Sequence, residues 1–350
     1  MFDAIQIEVT SRCNLRCVMC PVAVLADRWR PRHLPWELFS RVARAFPHAE
    51  FVHLQGWGEP LLHPRLFDMI RVAKHAGSRV GFTTNGTLLG PLAGQRLLDL
   101  DLDLLAVSIA GATPPTHGAI RVGSDLSGVL TNLGRFLDLR ARRGSRHPKV
   151  ELFFLMTKTN MAELPAVVDL AASLGVDELV ATNLDYVPTP AQDTLKAFAP
   201  DGLRDGFARV LEEARARAKV AGLPFRPYPL DPEEVAVCEA NPLKILFVSS
   251  DGKVSPCVYM GLAGQTEIPR ASDDRCFRVP RVWFGDLGGQ ELLEIWETPA
   301  YRAFRQQFVA RRAAGVVAAV MAAAGAGRTV SEPLPPAPEG CRTCPKLLGL

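Results

Sequence analysis

The sequence predicts an α/β chain: a partial (β/α)6 barrel of the TIM type, followed by a small α+β domain. Three observations carry this. Over residues 1–225, short β-branched runs alternate with amphipathic segments, the pattern of a parallel sheet with helices outside. At 350 residues and 48% hydrophobic, the chain can bury two cores. Five of its eight cysteines stand in tight clusters, which in a chain of this size points to metal rather than disulfides.

The strands are expected at residues 5–10, 51–55, 80–84, 104–109, 150–156 and 178–184. Helices are expected at 35–46, 64–76 and 91–98. Each opens on a proline (Pro35, Pro64, Pro91), whose fixed φ suits a first helical turn. Leu126, Val129, Leu130, Leu133, Phe136 and Leu137 recur at helical spacing, as do Leu164, Val167, Val168, Ala171 and Leu174. Six strand–helix units imply an open barrel rather than a closed eight-fold one. Residues 201–221 read as one charged helix. Residues 222–232, with one Gly and four Pro, mark a boundary between domains 1–225 and 226–350. Beyond it, Ser250-Asp251-Gly252 joins runs 245–249 and 253–259 into a β-hairpin. Short helices are expected at 290–297 and 299–312, then an Ala-rich stretch, 310–326, and a Pro-rich linker, 332–339.

Forty Lys and Arg against 37 Asp and Glu leave a net charge of +3, which argues against a nucleic-acid partner. No basic segment opens a signal peptide. The longest apolar run, residues 313–327, falls short of the roughly 20 residues of a membrane span. A cytoplasmic protein with no membrane or nucleic-acid partner is expected.

Cys13, Cys17 and Cys20 follow the first strand in a C-x3-C-x2-C loop. Three thiolates leave one iron of a cubane cluster open, and an open coordination site is where chemistry can occur. Zinc would want a fourth Cys or His close by, and His33 is the nearest histidine. The strand-end position is where barrel enzymes place their active sites. Here the chain resembles the radical S-adenosylmethionine (SAM) superfamily. The resemblance implies a [4Fe–4S] cluster on Cys13, Cys17 and Cys20. The resemblance further implies that SAM chelates the open iron and is cleaved to a 5′-deoxyadenosyl radical that abstracts a substrate hydrogen. Met19 stands where relatives often carry an aromatic residue whose backbone meets the adenine.

Gln55-Gly56-Trp57-Gly58-Glu59-Pro60, ending the second strand, resembles the family's Gly-Gly-Glu-Pro element, whose backbone binds the SAM amino group. The resemblance thus implies SAM contacts at Gly56, Gly58 and Glu59. It adds Thr84 and Asn85 after the third strand and Ser108 on the fourth, near the ribose or carboxylate. Ala110 stands where relatives often carry Asp. Arg121 occupies the place of an arginine that pairs with the SAM carboxylate, a bidentate geometry suited to guanidinium.

Cys238, Cys257, Cys341 and Cys344 supply four further thiols, with Cys276 left over. Spacing alone leaves both zinc and a [4Fe–4S] cluster open. Residues 251–257, 284–287, 293–296 and 301–305 resemble the SPASM/twitch extension of radical SAM enzymes, in the shorter form with one auxiliary cluster. Two [4Fe–4S] clusters and SAM are therefore the implied cofactors, with flavodoxin or ferredoxin as electron donor. Residues 310–339 resemble an insertion.

An auxiliary cluster ligated by four thiolates can accept an electron, so the expected reaction is two-electron oxidation of a small hydroxylated metabolite. The alternative is a peptide maturase acting by side-chain oxidation, thioether or carbon–carbon crosslinking. The absence of a leader-binding domain before residue 1 tilts the expectation towards a small molecule. A non-catalytic metal-binding scaffold is the remaining reading. Lys158, Asp185, Tyr186, Arg226 and Tyr228 lie near strand ends or the domain junction but are expected to be structural, leaving the base unassigned.

Overall fold

The computed structural model describes residues 1–198, 204–272, 275–323 and 333–350. Its strands are β1 (Phe2–Ile7), β2 (Ala49–His53), β3 (Arg79–Thr84), β4 (Leu104–Ile109), β5 (Lys149–Leu155), β6 (Glu178–Thr182), β7 (Phe225–Pro227), β8 (Ile245–Val248), β9 (Lys253–Ser255), β10 (Glu267–Ser272), β11 (Arg275–Pro280) and β12 (Gly285–Asp286). Ten of them form one sheet in the order β12-β9-β8-β1-β2-β3-β4-β5-β6-β7. β1 to β7 run parallel, each beside the next in sequence. β8 lies parallel against the other edge of β1, with Ala4 opposite Ile245 and Ile7 opposite Val248. β9 and β12 continue the sheet antiparallel, and β10 and β11 pair separately.

Alternation along the strands divides core from interior. Ile5, Ile7, Val52, Leu105, Val107, Leu152, Phe154 and Leu179 belong to the hydrophobic core, which the helices Trp36–Ala43, Leu66–His75, Pro91–Asp99, Leu126–Arg142 and Leu164–Leu174 help to build. The intervening positions (Gln6, His53, Ser108, Phe153 and Thr182 among them) line a central cavity. A polar interior inside an apolar shell follows directly. Asp125 caps the longest of these helices, accepting from Ser127 N at 3.3 Å and Gly128 N at 2.9 Å.

The expected six strands are present, with most ends displaced. β1 stops at Ile7 rather than Thr10, which instead bridges His33. β7 adds a seventh parallel strand, and the expected 225/226 boundary falls inside it. The hairpin β10–β11 was not expected. Helix Pro299–Ala323 runs well past residue 312, so residues 310–323 continue it rather than forming a separate inserted segment. Residues 201–203 of the charged helix, residues 324–326 of the Ala-rich stretch and Glu332 of the linker lie outside the described residues. Among the described residues, no helix is long and apolar enough to cross a membrane.

Candidate active site

The loop carrying Cys13, Cys17 and Cys20 is irregular and is held by backbone bonds: Ser11 N to Arg32 O at 2.9 Å, Arg16 N to Val122 O at 2.9 Å and Val18 N to Ile120 O at 3.0 Å. The last two clasp the loop to residues 120–122 and so carry Arg121 to the cysteines. Burial pushes the Cys20 thiol far up, the negative charge of Cys17 and Cys13 adds to this, and Arg121 opposes it. Burial also raises Cys13, with Glu59 and Cys17 contributing. The three thiols thus share one electrostatic environment.

Gly56 and Gly58 are fixed by space. A Cβ on Gly56 would lie 2.3 Å from Glu8 Cγ, and one on Gly58 would lie 2.3 Å from Thr10 O and 2.5 Å from Arg12 O. Glu8 is fully buried and accepts from Trp57 N at 3.1 Å, Ser250 N at 3.0 Å and Ser250 Oγ at 2.7 Å. It ties the glycine loop to the C-terminal hairpin, and burial holds its pKa up. Sequence reading missed it, because a single acid in a β-branched run carries no signal of its own.

Glu59, also buried, accepts from Thr84 Oγ1 at 2.7 Å, Asn85 N at 2.7 Å and Leu61 N at 3.1 Å. Burial raises its pKa against these bonds. Asn85 Nδ2 donates to Asn14 Oδ1 at 2.9 Å and stands 4.0 Å from Cys13 Sγ. The second and third strand ends therefore close on the cysteine loop, with the Thr84 hydroxyl engaged by the protein itself. Ser108 faces the central cavity. Met19 packs in the apolar group of Leu184, Val187 and Ala271.

Arg121 lines the same cavity, and its buried Nε has no partner. Its loop is braced by His117, whose Nδ1 accepts from Ala110 N at 3.3 Å, leaving Nε2 to donate to Ser124 Oγ at 2.9 Å. Burial lowers this histidine's pKa to about 4, so it is neutral, with the nearby Arg121 charge adding to the effect.

Cys238, Cys257, Cys341 and Cys344 are brought together, and all eight cysteines are free thiols. Burial raises Cys257 well above a normal thiol, and the charges of Cys344, Cys341 and Cys238 raise it further. Burial, then Cys344 and Cys238, pushes Cys341 up to about 12; burial and Cys344 push Cys238 up to about 11. Among the described residues, no three His, Cys, Asp or Glu side chains close on a single metal-ion position. Cys276 is exposed on β11.

Between the two cysteine groups lies a cavity of about 550 Å³ that reaches from Gln55 and Arg121 to Cys257. Asn183, 1% exposed, donates to Pro229 O at 2.7 Å, which leaves its Oδ1 without a partner. Gln55 Oε1 is likewise unpartnered. One wall is a charged network that sequence reading did not assemble. Lys346, 3% exposed, lies 3.2 Å from Asp185 Oδ2 and 2.6 Å from Glu239 Oε1. Tyr259 OH donates to Asp185 Oδ2 and Tyr228 OH to Glu239 Oε2, each at 2.5 Å. Burial works against the Lys346 charge, but Asp185 and Glu239 prevail and hold its pKa up. The signal available was the position of Glu239 and Lys346 beside cluster cysteines. Of the other residues flagged near strand ends, Tyr186 OH donates to Pro269 O at 3.0 Å and Arg226 pairs with Glu178 at 2.9 Å, both structural roles.

The family described as the radical SAM superfamily matches residues 7–171. An iron–sulfur cluster-binding domain, SPASM, matches residues 238–316, a span that holds Cys238, Cys257 and Cys276 and ends before Cys341. The chain is 30% identical over 308 residues to the tungsten-containing aldehyde ferredoxin oxidoreductase cofactor-modifying protein of Pyrococcus furiosus, covering 85% of this chain and 82% of that protein. It is 28% identical over 306 residues to the PqqA peptide cyclase of Ruegeria pomeroyi, covering 85% and 75%. The structure of Streptococcus suis SuiB bound to S-adenosylmethionine shares the fold, with a TM-score of 0.65 at 15% identity over 87% of this chain and 68% of that one. So does anSMEcpe with bound AdoMet, at 0.60 and 17% over 87% and 83%. SAM and [4Fe–4S] clusters are thus the cofactors, and the unpartnered Arg121 Nε and the two sets of thiols fit them. The chain belongs to the radical SAM superfamily, as an enzyme with a C-terminal SPASM-type iron–sulfur domain.

Proposed function

We propose that this enzyme carries out a two-electron oxidation of a small, polar, hydroxyl-bearing molecule held inside the barrel. The observation that carries the reading is the cavity, which joins the Arg121 end to Cys257 and presents unpartnered acceptors at Asn183 and Gln55. When bound, the cofactors supply hydrogen-atom abstraction at one end of this cavity and an electron acceptor at the other.

The chain's own contributions follow from position. Cys13, Cys17 and Cys20 hold one cluster, and Cys238, Cys257, Cys341 and Cys344 the other. Arg121 pairs with the SAM carboxylate; Gly56 and Gly58 let the backbone approach the ligand; Ser108 and the Met19 backbone line its site. Glu59, Thr84 and Asn85 hold these pieces in register. Asn183 Oδ1 and Gln55 Oε1 orient the substrate through its O–H or N–H donors. The network of Asp185, Glu239 and Lys346 holds two carboxylates to one ammonium, an excess of one negative charge, so the Asp185 carboxylate can take up the proton that leaves the substrate hydroxyl. A core of residues 1–225 and an auxiliary domain of 226–350, an acidic flavodoxin- or ferredoxin-type donor, and a reducing cytoplasmic setting that keeps the thiols free complete the reading.

Similarity to a cofactor-modifying protein supports a non-peptide substrate. Similarity to the PqqA peptide cyclase favours a second reading, in which a peptide side chain enters the cavity. Anaerobic reconstitution with iron and sulfide, an iron count and a SAM-cleavage assay test the proposal. About eight irons are expected in the native chain and about four in the Cys13→Ala/Cys17→Ala/Cys20→Ala variant, from two cubane clusters. 5′-Deoxyadenosine should form only in the native chain. Zinc at the C-terminal thiols would remove the electron acceptor and the oxidation with it. Micromolar binding of a short peptide encoded beside the enzyme would replace the small-molecule reading by the second.

A further inference from the structure

We propose that the arginine-rich face of residues 12–32 is the docking surface for an acidic one-electron carrier protein, which reduces the Cys13–Cys17–Cys20 site from outside the barrel. The proposal rests on the reading of that site given above.

Residues 12–32 hold five arginines (Arg12, Arg16, Arg28, Arg30 and Arg32) and one acid, Asp27. That local excess of four positive charges is larger than the net charge of the entire chain, +3. All five arginines are exposed. Several other surface arginines find carboxylates, as Arg44 does with Glu291 at 2.6 Å, Arg143 with Asp99 at 2.7 Å and Arg217 with Glu213 at 2.7 Å. Among the described residues these five make no ion pair. Arg30 bonds only the carbonyls of Asp27, at 3.1 Å, and Trp29, at 3.2 Å, and Arg32 bonds the Arg30 carbonyl at 3.5 Å. A carbonyl leaves the guanidinium charge uncompensated. Five unpaired like charges on one short segment repel one another, a cost that an acidic partner relieves.

The face also has the right address. A depression of about 630 Å³ between Arg12, Arg16, Trp29 and His33 has Cys13 in its wall. None of these residues lines the central cavity. A molecule bound here touches the cysteine loop but cannot reach the barrel interior, so the occupant is not the substrate. What it can deliver is an electron. The carrier, a reduced flavin or iron–sulfur protein, loses one electron and the site gains one; no bond is made or broken and no proton moves. Steering by a complementary field accelerates such encounters by roughly 10- to 1,000-fold and weakens with salt.

The test compares two reductants on the reconstituted full chain: reduced flavodoxin, an acidic carrier, and dithionite, a small ion that needs no docking surface. The variants are Arg28→Glu/Arg30→Glu/Arg32→Glu and its neutral counterpart, Arg28→Gln/Arg30→Gln/Arg32→Gln, each checked for native iron content. With flavodoxin, 5′-deoxyadenosine formation should fall at least tenfold in the Glu variant and by a smaller factor in the Gln variant. The native rate should drop as salt rises, and the Glu variant should lose that dependence. With dithionite, all three proteins should match. Flavodoxin rates equal to native in both variants would overturn the proposal. So would equal losses with both reductants at native iron content, because the arginines would then act on the site itself. A native chain that makes no deoxyadenosine with dithionite would instead refute the reading of the site.

Discussion

Replacing Gly58 by alanine should disable the SAM site while leaving the fold in place. The added Cβ would meet Thr10 O at 2.3 Å and Arg12 O at 2.5 Å. An ordinary carbon–oxygen contact is about 3.3 Å or more, so the glycine loop and the cysteine loop must part by on the order of 1 Å. Neither contacted atom can swing aside, because both are backbone, and Arg12 O already accepts from Glu59 N at 2.8 Å. The separation opens between the elements that present Cys13 and Glu59, and a misplacement of this size costs about 100-fold in rate. Gly90→Ala, with nothing within 4 Å of its Cβ, is the control. The assay is dithionite-driven 5′-deoxyadenosine formation at matched iron content, with the thermal melt recorded alongside. Gly58→Ala turning over within threefold of native would refute the steric reasoning. A collapsed melt would show that the close approach serves folding rather than ligand geometry.

Other expectations concern charge. Arg281 grips Asp251 through two bonds, at 2.7 and 2.8 Å. Burial opposes ionisation of Asp251, yet the Arg281 pair, Ser249 and Gly264 hold its pKa down to about 2. Because the folded value lies below the unfolded one, this stabilisation is complete above pH about 4 and lost as pH falls through about 2. Arg281→Met should therefore cost about 2 kcal/mol at neutral pH and nearly nothing below pH 2, read from urea midpoints across pH; a pH-independent difference would contradict this. Lys346→Met removes the ammonium shared by Asp185 and Glu239, which keep the Tyr259 and Tyr228 hydroxyls, and should cost about 1–2 kcal/mol by the same method; an unchanged midpoint would mean that water fully replaces the ammonium. Arg121→Lys keeps the charge but loses the fork, so SAM affinity by equilibrium dialysis should fall about tenfold or more, and an unchanged affinity would free Arg121 from the ligand. Asp185→Asn should lower substrate-dependent turnover while leaving deoxyadenosine formation without substrate intact; equal loss of both would deny it the proton-accepting role.

Much of this was legible in the residues because the relevant signals are local. Three cysteines within eight residues and the Gly-Trp-Gly-Glu-Pro turn declare themselves, and short β-branched runs mark β1 to β6. The hairpin β10–β11 escaped because Pro269, Arg270, Arg275, Arg278 and Pro280 interrupt any apolar alternation. β7 escaped because three residues flanked by prolines resemble a linker. Helix Pro299–Ala323 continues past residue 312 on an alanine-rich stretch of high helix propensity, which reads in the sequence as an insertion because it stands outside the SPASM/twitch resemblance. Glu8 and Lys346 escaped for a different reason. Their roles depend on partners far away in sequence, and a single charge reveals nothing about what the fold will set beside it.

The pairing of β8 with β1 links residues 4–7 to residues 245–248 across most of the chain. During synthesis, one edge of β1 must wait, unpaired, until β8 has been made. Such an exposed edge invites pairing with other chains, and so remote a closure slows folding. Once made, the ladder should pass strain and opening from one half to the other. Amide exchange in β1 and β8 should then share a single protection level, and the two cysteine sites should lose order together rather than in turn.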